Sequence, residues 1–154
     1  MRHVLILVCS ILALNLVACK PKTKSKDKGH GKHAHKAPHG GVMVELEDHV
    51  ANAEITFDAK SGTLTLYCLG GHGHKSLVPE QSQIVVLVKS DKAIHTLTLE
   101  GVTNSLTGET KGKSSQFQVI EPKLRALTKF QGTIKSLKIK GTEYTDVAFS
   151  FPNK

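Results

Sequence analysis

The stretch Gly62-Thr63-Leu64-Thr65-Leu66-Tyr67-Cys68-Leu69 carries Leu64, Leu66 and Cys68 at every second position. That spacing puts all three on one face of a β-strand. The same period-two pattern recurs in short runs along the chain after Gly40-Gly41. Val42, Val44 and Leu46 share one face, and Ala51, Ala53, Ile55 and Phe57 share another. Between these and the opening stretch, Asp58-Ala59-Lys60-Ser61-Gly62 reads as a hairpin loop built from turn residues. Further on, Ile84 to Val88 is apolar at every position, which predicts a central strand covered on both faces. Ala93, His95, Leu97 and Leu99 alternate next, followed by Phe117 with Val119, by Ile134 to Ile139, and by Val147, Phe149 and Phe151. Lys140-Gly141-Thr142 predicts a turn between the last two strands, and Pro122 to Phe130 one or two helical turns. The fold class that follows is all-β, a single antiparallel β-sandwich of about eight strands, with the immunoglobulin-like type favoured over a closed barrel. It is assigned to residues 38–154.

Toward the N-terminus the alternation stops and an address begins. Leu16-Val17-Ala18-Cys19 closes a segment with a basic start at Arg2 and an apolar stretch from Val4. That stretch, about fifteen residues, is shorter than the roughly 20 that a membrane-spanning helix needs, and it ends in small residues before a cysteine. Residues 1–18 therefore read as a lipoprotein signal peptide with its lipobox, and Cys19 as the lipidated first residue of the mature chain. The protein is expected to be held by lipid at a membrane of the cell envelope, facing the periplasm. Lys20, next to the lipidated cysteine, is not the aspartate associated with inner-membrane retention, which favours the outer membrane.

Residues 19–37 form a linker. Between Lys20 and Lys36 lie seven lysines against one acid, Asp27, and no aliphatic side chain larger than alanine, a composition that stays disordered and spans roughly 25 Å on average. Much of the formal net charge of +8 belongs to this tether. An exported chain whose basic segment lacks aromatic residues for base stacking is not expected to bind nucleic acid. Of the three cysteines, Cys9 leaves with the signal and Cys19 carries lipid, so Cys68 alone remains. Its phase with Leu64 and Leu66 makes it a small buried hydrophobe.

Nine histidines are present, and neutral imidazole is the commonest metal ligand. His30, His33, His35 and His39 define a linker site. His72 and His74 lie in the loop Gly70-Gly71-His72-Gly73-His74. If the first three strands form an antiparallel meander, His49 shares one sheet end with that loop, with Glu47 and Asp48 beside it. His49, His72 and His74 then make a folded site, and His39 falls at the opposite end, roughly 25 Å away at about 3.3 Å per residue. With no free thiolate available, nitrogen ligands suit Cu(II), Zn(II) or Ni(II), of which copper or zinc is the expected ion. His95, in phase with Leu97 and Leu99, reads as a partly buried core residue.

The strings Pro38-His39-Gly40-Gly41, Glu45-Leu46, Glu54, Asp58 and Gly62 to His72 resemble a group of uncharacterised bacterial lipoproteins and envelope domains, with similar small domains accompanying the periplasmic adaptor subunits of heavy-metal efflux systems. The resemblance covers Pro38 to Val88 and implies an envelope β-domain with a metal role and no defined reaction. The chain departs from that group at Gly70, where an acidic residue is common. Gly-x-Ser-x-Gly and His-Glu-x-x-His are absent from the sequence, and no enzyme is expected. The leading expectation is a lipoprotein that binds copper or zinc for buffering or efflux, with an envelope protein as a further partner. The alternative is a structural or protein-interaction lipoprotein without a specific metal role.

Overall fold

In the computed structural model, alternation becomes strand wherever turn chemistry lets the chain reverse. The structure describes residues 36–47 and 49–152. The expected signal segment 1–18, the expected lipidation site Cys19, the expected linker-site residues His30, His33 and His35, and Asp48 lie outside the described residues. Eight strands follow in order: β1 Val42–Glu47, β2 Ala51–Asp58, β3 Thr63–Gly70, β4 Gln83–Lys89, β5 Ile94–Gly101, β6 Gln116–Ile120, β7 Phe130–Ile139 and β8 Thr142–Phe151. One 3-10 turn, Pro122–Leu124, precedes β7. Among the described residues, no helix is long and apolar enough to cross a membrane.

The all-β antiparallel reading holds. Hydrogen bonding runs through one eight-stranded sheet in the order β1-β2-β3-β6-β5-β4-β7-β8. The sheet bends until its edge strands meet, where the Tyr144 hydroxyl on β8 donates to Glu47 Oε2 on β1 at 2.8 Å. The result is a nearly closed, barrel-like sandwich. Its core takes the alternating residues expected: Ala51, Ala53 and Ile55 from β2, Leu64, Leu66 and Cys68 from β3, Ile84, Val86 and Val88 from β4, and Leu97 and Leu99 from β5. Leu124, from the 3-10 turn, is fully buried among them.

Two strands depart from their simple reading. The β4 strand is interior in the sheet, paired with β5 and β7, yet Val85 is 37% exposed. A bent single sheet has only one inner face, so an all-apolar run buries Ile84, Val86 and Val88 and leaves its alternate positions outside. Along β7 the buried set runs Phe130, Gly132, Ile134 and then shifts by one to Leu137 and Ile139. The shift occurs opposite Asp146, which has φ 51. A left-handed residue there departs from the extended backbone of a strand, and the inward phase changes across it.

Candidate functional site

The residues that set the site apart are polar side chains on the outward phase of β2 that are nonetheless buried. Asn52 is 1% and Glu54 0% exposed, although Ala51, Ala53 and Ile55 occupy the inward phase. Buried polar groups need partners, and two glycine-containing segments supply them. Ahead of β1, the chain lies over Glu54. The amides of His39 and Gly41 donate to Glu54 Oε1 at 2.8 and 3.0 Å, and His39 Nδ1 lies 2.8 Å from Oε2. The His39 ring also stacks flat on Tyr67, with centroids 3.7 Å apart and planes 4° from parallel. After β3, Asn52 Nδ2 donates to the carbonyls of Gly70 and Gly71, each at 3.0 Å, while its Oδ1 has no hydrogen-bond partner.

Both segments depend on the lack of a side chain at one glycine. A Cβ at Gly41 would stand 2.3 Å from the Ile55 carbonyl oxygen, and one at Gly71 would stand 2.0 Å from the carbonyl carbon and oxygen of His49. The second contact locks the loop after β3 to the turn between β1 and β2. That turn closes by Val50 N to Glu47 O at 3.0 Å, with His49 left-handed at φ 57. The loop is braced by Gly70 N to Lys75 O at 2.6 Å and Gly73 N to Gly70 O at 2.7 Å.

The first three strands do form the antiparallel meander on which the candidate sites were placed. Ala51 pairs with both Glu47 and Gly70, so His49 and the His72/His74 loop share one end of the sheet. The rings of His49 and His72 stand 5.6 Å apart, tilted by 40°. His74 is exposed on the same loop. Among the described residues, no group of three or more His, Cys, Asp or Glu side chains is disposed to hold one metal ion. His49, His72 and His74 are therefore near neighbours with one close pair.

His39 departs from its expected place. The sequence reading grouped it with the linker, at the far end of the sheet, whereas it is docked on the middle of β2 and β3, where Glu54 pairs with Tyr67. Glu54 is three residues from Ala51, so His39 lies about 10 Å along the strands from the His49 end rather than about 25 Å. The reason is that the chain before β1 folds back over the outer face instead of leading away. His95 is half-buried on β5, as its phase suggested. Cys68 is fully buried, and burial pushes its thiol up to about 12, which withholds the thiolate needed for metal ligation.

Sequence reasoning assigned no role to Glu54, Asn52 or Tyr67. The available signal was an acid and an amide at alternate positions of a strand whose other face is apolar, next to two Gly-Gly pairs. A cavity of about 660 Å³ lined by Lys89, Asp91, Phe130 and Phe151 among others contains no histidine and stands apart from this face. No protein-family model, curated protein or solved structure matches the chain.

Proposed function

We propose that this protein is a lipid-anchored envelope protein that takes up transition metal ions, copper or zinc, through histidines on the outer face of β1 to β3, in buffering or efflux. The observation that carries the reading is the side-by-side placement of His49 and His72 by two loops locked together at Gly71. A metal bound by two imidazoles at about 2.0–2.1 Å from nitrogen stands about 3.2 Å from each ring centre, so bond angles of about 109–120° space the centres by about 5.2–5.5 Å. The 5.6 Å between the His49 and His72 rings lies just beyond that spacing. Two histidines leave the remaining coordination positions to water or to a partner's donors, as suits a protein that passes its metal on.

One observation favours a second reading, an interaction lipoprotein with no specific metal role: the described residues offer no three-ligand set. Calorimetric titration separates the two. With His30, His33 and His35 replaced by alanine, the chain should still bind about one equivalent of Cu(II) or Zn(II) saturably, and His49→Ala with His72→Ala should remove it. Absence of saturable binding before that second step would favour the interaction reading.

A further inference from the structure

The His39–Glu54–Tyr67 cluster is more constrained than a stabilising contact requires. Glu54 Oε1 receives the amides of His39 and Gly41, so the side chain acts there as an acceptor. His39 Nδ1 lies 2.8 Å from Oε2. An ionised Glu54 can only accept, and opposite it a neutral His39 carries its proton on Nδ1 and keeps the lone pair on Nε2. The stack on Tyr67 fixes the ring plane. The His39 side chain is 41% exposed, against 0% for Glu54, so the ring stays open to solvent while the carboxylate that holds it does not. A histidine whose second nitrogen is held by a buried carboxylate is the arrangement by which metal-ligating imidazoles are oriented and their tautomer set.

We propose that His39 is a second metal ligand on this face, coordinating a borderline divalent ion such as Cu(II) through Nε2, with Glu54 as its positioning residue. This rests on the reading that the face takes up metal, and it adds an entry ligand about 10 Å along the strands from the His49 end of the sheet. One protein nitrogen with open coordination positions gives a weak, exchangeable site. Such a site suits capture and hand-over better than storage.

The test uses the full-length chain, 15N-labelled and held in detergent, with substoichiometric Cu(II) alone as the probe. In a background where His30, His33, His35, His49, His72 and His74 are alanine, the His39 ring signals should show the Nδ1–H tautomer and broaden selectively. Glu54→Gln keeps the shape but offers Nδ1 a donor. It should turn His39 to the Nε2–H tautomer and weaken the broadening about tenfold. A His39 ring that fails to broaden in that background, while His72 broadens in the otherwise unchanged chain, overturns this inference alone. Silence at both overturns the proposed function as well. Broadening at His39 that survives Glu54→Gln removes the positioning role of Glu54. Should Glu54→Gln fail to fold, the tautomer of the unchanged ring decides, since an Nε2–H ring could not ligate as proposed.

Discussion

Cys68 shows how one residue's surroundings set its chemistry. It lies fully buried between Leu66 and the core of β3, and burial raises its thiol from an ordinary 9.0 to about 12. In the unfolded chain the thiol ionises near 9.0, while the folded protein holds the proton to about 12, so the unfolded state loses a proton first as pH rises. The resulting contribution to stability is complete below pH 9 and declines above it, by at most about 1.4 kcal/mol per pH unit. Denaturation of the native protein and of Cys68→Ala should therefore converge between pH 8 and pH 10.5. Parallel curves would show that the thiol is solvated. At Gly71 the constraint is steric instead. Gly71→Ala drives a methyl against the His49 backbone and should cost about 2 kcal/mol or more by urea midpoint, with the His49–His72 pair lost alongside. The inward role of Cys68 was legible because alternation is local. The burial of Glu54 was not, because an outward polar residue on a strand normally meets water.

Among the elements, the β7–β8 hairpin offers the cleanest check. Its two-residue turn holds Lys140 at φ 52 and Gly141 at φ 79, the two left-handed positions of a type I′ turn. Lysine is strained there and asparagine is not, so Lys140→Asn should stabilise the protein by up to about 1 kcal/mol. No gain in thermal midpoint would mean that the turn relaxes in solution. The same turn is tied to the loop before β4, since Lys138 and the Gly141 amide bind the Glu80 carboxylate and hold it below its ordinary range. The turn could be read from Lys140-Gly141-Thr142, and the strands from their periods. The phase change at Leu137 could not, because the left-handed Asp146 that it accompanies sits on the partner strand.

For the whole molecule, closure depends on the seam between β1 and β8, where side chains rather than a ladder of backbone bonds bridge the two edges. Tyr144→Phe removes the hydroxyl bonded to Glu47 and should cost about 1 kcal/mol. Hydrogen exchange in β1 should rise more than in β4 or β5, and a uniform rise would show that the seam is not a separate weak point. The anchoring proposal belongs to this scale too. Cys19→Ala should move the protein from the membrane fraction to the soluble one, and retention through alkaline washing would mean that the apolar N-terminal segment holds it instead.

By itself the sequence determined the strand positions, the inward residues of β2, β3 and β5, and the Lys140-Gly141 hairpin turn, since each follows from spacing within a few residues. The tertiary structure alone decided that one sheet bends round to meet itself, that Glu54 and Asn52 are covered from outside, that His39 docks on the middle of β2 and β3, and that His49 and His72 stand side by side. Those facts depend on which distant segments lie against β2 and β3. Local periodicity carries no record of what packs over an outward face, because that contact is made by chain many residues away.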